Sequence, residues 1–463
     1  MRTLITNGHV ITATDDFRGD ILIDNEQIAA SGSTGTFASQ QSDMLLDAQG
    51  KYIFPGAIDV HTHMELPLPA TVASDDFKTA TIAAACGGTT TILDFANQQR
   101  GHSLAEALQS WHRKAEGKTV IDYGFHITIT DLASAPEAAM DEMIAEGVTT
   151  FKLLMAYPGT FMVDDETIYR VLRHSACLGG LVMVHAENGI TIDFLVREAI
   201  AAGHTAPIYH ALTRPSLLEG EATQRAIMLA TLAESPLYIV HVSCAHSLNA
   251  VAAARVKGLP VWGETCPQYL YLNDSYYAAP GFEGAKFVCT PPLRGVSDNE
   301  ALWIGLQHRE LQVVSTDHAA FNYYGQKELG LNDFTKIPNG LPGVEHRVIL
   351  LYEGVREGKL DIHHFVDLVS TTPAKLFGLF PRKGTIAPGS DADLVMFDPE
   401  RTSTISAATQ HQWVDYTPYE GKRVQGVPDT VLLRGRVIVR DGEYVGGEGG
   451  GQYLPRKTFT VPS

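Results

Sequence analysis

Two histidines one residue apart, His61 and His63, stand at the end of the largely apolar run 52–60. In an extended strand alternate side chains share a face, so both imidazoles project into one space and can offer two nitrogen donors to one cation. Other apolar runs carry comparable residues near their ends. Phe151-Lys152-Leu153-Leu154 holds a lysine, Val182-Met183-Val184-His185 ends in a third histidine, Tyr238-Ile239-Val240-His241 in a fourth, and Val313-Val314-Ser315-Thr316-Asp317 in a carboxylate. One histidine closing a strand usually only packs; imidazole and carboxylate donors converging from several strands are what zinc-class ions require. His126 sits inside a run and reads as structural. His318 follows Asp317, so it points the other way and reads as packing or as support behind the donors.

Lys152 is the odd member. An ammonium among apolar strand residues is costly to desolvate and would repel cations. It could reach solvent, find a carboxylate, or be modified. The third reading suits the donor-rich surroundings. Burial depresses a lysine pKa and exposes the neutral amine, which can add carbon dioxide to give an anionic carbamate with two oxygens. Such a group would bridge two divalent ions. The remaining donors then divide, with His61, His63 and Asp317 on one ion and His185 and His241 on the other. Two cations held close together lower the pKa of a shared water and polarise a carbonyl, so the expected chemistry is hydrolytic.

These residues need a scaffold that brings several strand ends to one rim. Eight strand-like runs, 57–61, 89–95, 123–130, 150–156, 181–185, 237–241, 260–265 and 312–317, alternate with helix-like stretches such as 222–233 and 247–257. That rhythm predicts parallel β/α units closing into a (β/α)8 TIM barrel, whose active site lies at the C-terminal ends of the strands. The first fifty residues read instead as short strands broken by Asn7-Gly8 and Asp15-Asp16, and the last ninety repeat that texture in 392–397 and 430–439. Neither end supplies a stable sheet alone, so the two are expected to pair as one small composite β-sandwich. The expected division is 1–54 for the first part of the sandwich, 55–374 for the catalytic barrel, and 375–463 for the second part with a tail arm. Glycines between 446 and 451 read as a flexible connector to that arm.

A chain of 463 residues with 44% apolar and 19% charged residues can bury a large core and is not a disordered chain. Its formal charge of -18 excludes a typical nucleic-acid binder, which needs a basic face. Cys86, Cys177, Cys244, Cys266 and Cys289 are too widely spaced for a thiolate zinc motif or a disulfide framework, and read as buried small side chains in a reducing compartment. The N-terminus meets polar residues too early for a signal peptide, and no apolar stretch is long enough to span a bilayer. A cytoplasmic location is expected.

Beyond the strand-end residues, the chain contains Gly87-Gly88-Thr89-Thr90, His185-Ala186-Glu187-Asn188-Gly189, Gly263-Glu264-Thr265-Cys266-Pro267-Gln268-Tyr269-Leu270, Pro291-Pro292-Leu293-Arg294, Ser315-Thr316-Asp317-His318 and Thr372-Pro373-Ala374-Lys375. With His-Thr-His and Phe151-Lys152, these segments resemble the cyclic amidohydrolases almost end to end, and within them the dihydropyrimidinases and D-hydantoinases. The resemblance implies a carboxylated Lys152, two zinc ions held as divided above, and hydrolytic ring opening of 5,6-dihydrouracil or a hydantoin by the metal-bridging hydroxide. It implies Asp317 as general base and then acid, and Tyr157, spaced five residues from Lys152, as donor to the developing oxyanion. It further implies that Thr290 and Asn339 hold the ureide edge of the substrate, largely through backbone groups, and that the enzyme is a homotetramer.

Substrate choice falls to the loop after His63, with Leu66 and Leu68 as lining residues, and to Leu154 and Phe161. Leu68 and Leu154 stand where the family often carries phenylalanine, Thr290 where it more often has serine, and Pro69-Ala70 replaces a usually glycine-containing stretch. A less aromatic pocket of different shape is therefore expected. Among alternatives, dihydroorotases usually place an arginine two residues after His-x-His, where this chain has Glu65. An allantoinase is the weaker enzymatic alternative, given Tyr157 and its neighbours. A non-catalytic scaffold on the same fold is opposed by retention of His61, His63, Lys152, His185, His241 and Asp317.

Overall fold

All eight strand-like runs of the middle region become neighbours in one parallel sheet. The computed structural model describes residues 1–132 and 136–461. Among these residues the barrel strands are Ala57–Thr62, Thr89–Asn97, Asp122–Thr128, Thr150–Leu154, Leu181–His185, Leu237–Ile239, Val261–Thr265 and Val313–Val314, paired in chain order. Their side chains are buried almost throughout, as strands covered by helices outside and packed side chains inside must be. Local signals set the outer helices. Asp164 caps Asp165–Leu178 by accepting from the Thr167 amide, and Gly179 ends it in the left-handed region. Between the caps, Ile168, Val171, Leu172 and Ser175 form its buried stripe at helical spacing.

The ring closes between the first strand and the short eighth. The His63 amide donates to His318 O at 2.8 Å, and Thr62 bridges His318 in parallel. Below that bridge, buried Arg347 donates through Nη1 to both Ile58 O and Val314 O at 2.9 Å, supplying donors where the ladder is incomplete. Asp59 in the first strand takes the Thr316 hydroxyl at 2.6 Å.

The two chain ends join in a second, mixed sheet of nine strands among the described residues, with Tyr52–Pro55 pairing Leu394–Thr404 on one side and Arg2–Ile11 on the other. Ile5, Val10, Ile21, Ile23, Ile53, Leu394, Met396 and Leu432 fill its core. Asn7-Gly8 does not break the first strand as expected. Arg2–Ile11 is continuous, and the pair is absorbed as a bulge with Asn7 at φ 61°. Conversely, the run 430–439 is a hairpin between Arg423–Leu433 and Arg436–Arg440, turned by Arg434 and Gly435 at positive φ.

The glycine-rich tail is also not a free connector. Gly450 and Gly451 both donate to Thr119 O at 3.0 Å, and a Cβ on Gly451 would lie 1.9 Å from Ile121 O. Glycine serves close approach there. Beyond it the arm pairs with its own barrel: Leu454 N donates to Tyr123 O, Arg456 N to Gly147 O and Phe459 N to Gly179 O, at the entry ends of the third, fourth and fifth strands. Buried Lys383 joins Asp122 of the barrel to Asp391 and Asp393 beside the terminal sheet, at 2.6–3.0 Å. Four cysteines are buried, but Cys177 is exposed on the outer face of Asp165–Leu178. No helix among the described residues is long and apolar enough to cross a membrane.

Candidate metal centre and active site

The strand ends deliver their donors to one place. His61 Nε2 and His63 Nε2 each lie 3.2 Å from Asp317 Oδ1, and the three side chains form a group that could hold a cation. Facing them, the His185 and His241 rings are 4.6 Å apart by centroid, and His241 lies 5.4 Å from His61. Lys152 Nζ is 2.9 Å from His61 Nε2 and 3.9 Å above the Phe95 ring. Lys152 sits inside the fourth strand, whereas His241 and Asp317 lie just beyond the sixth and eighth. Asp317, His241 and Tyr157 have φ of 52°, 39° and 67°, a left-handed backbone that non-glycine residues rarely adopt. The chain bends as each strand ends, and strain of this kind gathers at functional sites.

Supporting contacts fix the rings. His61 Nδ1 is paired with the buried Glu264 carboxylate, so Nε2 is the ring nitrogen turned toward Asp317 and Lys152. Glu264 also accepts from the Tyr238 hydroxyl at 2.9 Å and from the His241 amide at 3.2 Å. His185 Nε2–H donates to Glu187 at 2.8 Å, which leaves Nδ1 as its free donor atom. His63 and His241 each have a buried Nδ1 with no partner among the described residues. His126 is satisfied at both ring nitrogens, by Thr150 Oγ1 and Val60 O, in line with a structural role. His318 points away from the donors, paired with Asp75 at 3.2 Å and accepting from the Gly343 amide.

The electrostatics follow burial. Desolvation pushes the Lys152 ammonium down to about 8 and His63 down to about 4, and lowers His241 well below its usual value. Burial opposes ionisation of Asp317 as well, yet the neighbouring His61 and the hydrogen bonds from His61 and His63 hold its carboxyl well below the usual range. Lys152 neither snorkels, being 4% exposed, nor forms a salt bridge among the described residues. Four imidazoles, a carboxylate, a lysine whose pKa burial depresses and buried ring nitrogens without partners form a donor set that fits divalent cations.

A cavity of about 560 Å³ opens onto this cluster. His63, Lys152, His185, His241 and Asp317 reach its surface, and His61 is buried beneath. Tyr157, Thr290 and Asn339 line it, as do Leu66, Leu68, Leu154 and Phe161, so every residue expected from the sequence converges here. Burial raises the Tyr157 pKa, which keeps its hydroxyl protonated, and Asn339 Nδ2 donates to that hydroxyl at 3.4 Å. Apart from Tyr157, Phe161 is the aromatic side chain of the wall. Glu65 turns outward to Lys118, at 2.8 Å, and gives the cavity no carboxylate-gripping cation at that position.

Several residues that matter here were not singled out by sequence. Glu264 lies one residue before the end of the seventh strand, and the strand-end rule applied to His185, relaxed by one position, would have found it. Arg100 had no such signal. It donates to Thr160 O and Met162 O, both at 2.8 Å, and so latches the loop bearing Tyr157 and Phe161. Gln326 similarly latches the short hairpin Pro67–Leu68/Thr71–Val72, donating to Thr71 Oγ1 at 2.6 Å and Val72 O at 2.7 Å.

Nitrogen and carboxylate donors on the C-terminal rim of a (β/α)8 barrel, beneath a cavity with an apolar wall, define the class as a metal-dependent barrel hydrolase. The Amidohydrolase family model matches residues 52–438, and the chain belongs to this family. It is 52% identical over 459 residues to a D-hydantoinase of Streptomyces coelicolor, covering 99% of this chain and 98% of that one. To a D-hydantoinase of Geobacillus stearothermophilus it is 53% identical, covering 99% and 97%. The crystal structure of a dihydropyrimidinase from Brevibacillus agri superposes with a TM-score of 0.98 at 50% identity, covering 100% of both chains.

Proposed function

We propose that this chain hydrolyses cyclic amides, opening 5-substituted hydantoins and 5,6-dihydropyrimidines such as dihydrouracil to N-carbamoyl amino acids. One observation carries the reading: the donor cluster, Tyr157 and the apolar wall share a single cavity. His61, His63 and Asp317 would hold one divalent ion and His185 and His241 a second, with Lys152 as its carbamate between them. Zinc is the ion we propose. Bound ions would supply an acidified water and polarise the ring carbonyl.

The chain's own groups do the rest. Asp317 enters as a carboxylate, takes a proton from the attacking water and returns it to the ring nitrogen as the C–N bond breaks. The product thus gains a ureido N–H and a carboxylic acid, which ionises by releasing the water's second proton to solvent. Tyr157 keeps its proton and donates to the oxygen that becomes negative. Thr290 and Asn339 hold the ureide edge, and Leu66, Leu68, Leu154 and Phe161 receive the ring substituent. The three aliphatic leucines beside the one Phe161 ring support alkyl as well as aryl substituents, and the D-hydantoinase relatives support D-selectivity. A cytoplasmic homotetramer is proposed with the same reading.

The test is a hydrolysis panel on zinc-replete protein: hydantoin, 5-alkyl and 5-aryl hydantoins, dihydrouracil, allantoin and dihydroorotate. Turnover of hydantoins or dihydrouracil is expected. Turnover confined to allantoin, or no turnover with two ions bound, overturns the proposal.

A further inference from the structure

Lys327 lies in the short helical turn Lys327–Gly330, fully buried beside the active-site wall. Its Nζ donates to three backbone carbonyls, Pro338 O at 2.7 Å, Gly340 O at 2.8 Å and Val288 O at 2.9 Å. Val288 O also accepts from the Gly340 amide at 3.0 Å, so the two segments are joined twice. One of them carries Asn339 between two of the gripped carbonyls. The other leads within two residues to Thr290, which is steadied from its far side by buried His210, whose Nε2 donates to Cys289 O at 2.8 Å.

The environment of this lysine is unlike that of a structural ion pair. Lys383, equally buried, is surrounded by Asp122, Asp391 and Asp393. Among the described residues Lys327 forms no ion pair, and carbonyl oxygens alone receive its charge. Desolvation pushes it down to about 7. The three acceptors work the other way, because a neutral amine has only two N–H groups and would drop one contact. Gly340 completes the arrangement: at φ 144° it lies against Ala319, whose carbonyl oxygen would sit 2.4 Å from an added Cβ. The segment is therefore pressed between the eighth-strand extension and the lysine.

We propose that Lys327 is a positioning residue for the substrate's ureide edge, its ammonium fixing the Asn339 segment against the Thr290 segment so that both edges face one ring. This rests on the cyclic-amide reading above. The lysine touches no substrate and acts through the two backbone segments it ties.

The test compares Lys327→Met, which keeps bulk and removes all donors, with Lys327→Gln, which restores two N–H groups. For hydantoin and for dihydrouracil, Lys327→Met should raise KM about 10- to 100-fold with a smaller change in kcat and unchanged zinc content, and Lys327→Gln should fall between it and the parent. A KM within about twofold of the parent, or a loss of kcat with zinc at unchanged KM, overturns the role. Should Lys327→Met fail to fold, hydrogen exchange on the parent protein decides. The Gly340 amide should exchange as slowly as barrel-strand amides, and exchange as fast as in the exposed segment 447–449 overturns the clamp. Failure of the parent protein to open either ring sinks the proposed reaction instead, and the exchange measurement still reads the clamp.

Discussion

The floor and the wall of the active-site cavity are held in different ways. On the floor, donor side chains rise from barrel strands and are oriented by buried carboxylates: Glu264 on His61, Glu187 on His185, and Asp59 on the Thr316 hydroxyl next to Asp317. On the wall, apart from Leu154 at the end of the fourth strand, the residues that would meet the substrate sit on loops and a short hairpin. There the fastening runs from a side chain to backbone carbonyls, with Arg100 on Thr160 and Met162, Gln326 on Val72, and Lys327 on Val288, Pro338 and Gly340. A carboxylate network selects ring orientation and tautomer, and tolerates little change of residue type. A carbonyl latch constrains only the backbone path and leaves the wall's side chains free to vary. One region thus sets the reaction and the other can be retuned for the substrate.

The comparison breaks first where the floor is removed. Lys152→Ala should lose bound metal and turnover together, by more than about 10³-fold, since the ions supply several kcal/mol to the transition state. Metal analysis beside turnover checks it, and added short-chain carboxylates should partly restore both. A variant that keeps two ions and near-parent turnover would end the carbamate reading. Tyr157→Phe should instead keep its metal and lose about 10²- to 10³-fold in kcat, the usual size of one oxyanion donor. Tyr157 belongs to the wall by position and to the floor by chemistry, so a loss confined to KM would return it to the wall.

Glu264→Gln asks how far the floor depends on its supporting shell. The amide still reaches the imidazole but no longer holds His61 as a charged acceptor, and metal affinity should fall about 10- to 100-fold. Competition with a chelator measures this, and unchanged affinity would reduce Glu264 to packing. The same residue shows where the sequence was legible. The eight strands, their order and the donors at their ends followed from short apolar runs closing in metal-competent residues, because burial and ligation both act on side-chain type. Glu264 obeys the same rule, one residue short of the end. Asn7-Gly8 and the tail glycines misled, since glycine marks a turn, a bulge and close packing alike, and only the partner strand or the Ile121 carbonyl distinguishes them. The latches were not legible at all. A backbone carbonyl is present at every position, so no residue pattern announces that Lys327 will meet three of them.

The smallest effect expected is also the most discriminating between the two regions. Arg100 is exposed, and among the described residues its guanidinium holds the loop of Tyr157 and Phe161 through Thr160 O and Met162 O alone. That loop has support of its own, because the amides of Thr160, Phe161 and Met162 all donate to Tyr157 O. Arg100→Ala should therefore leave metal content and the turnover of unsubstituted hydantoin near the parent values. Its kcat/KM for bulky 5-substituted hydantoins should change by about two- to tenfold, since Phe161 lines the cavity where the substituent would lie and a loosened loop would misplace it. Equal losses on substituted and unsubstituted rings would mean that Arg100 acts on Tyr157 instead. The latch would then belong to the chemistry, and the division between floor and wall would have to be drawn through this loop rather than around it.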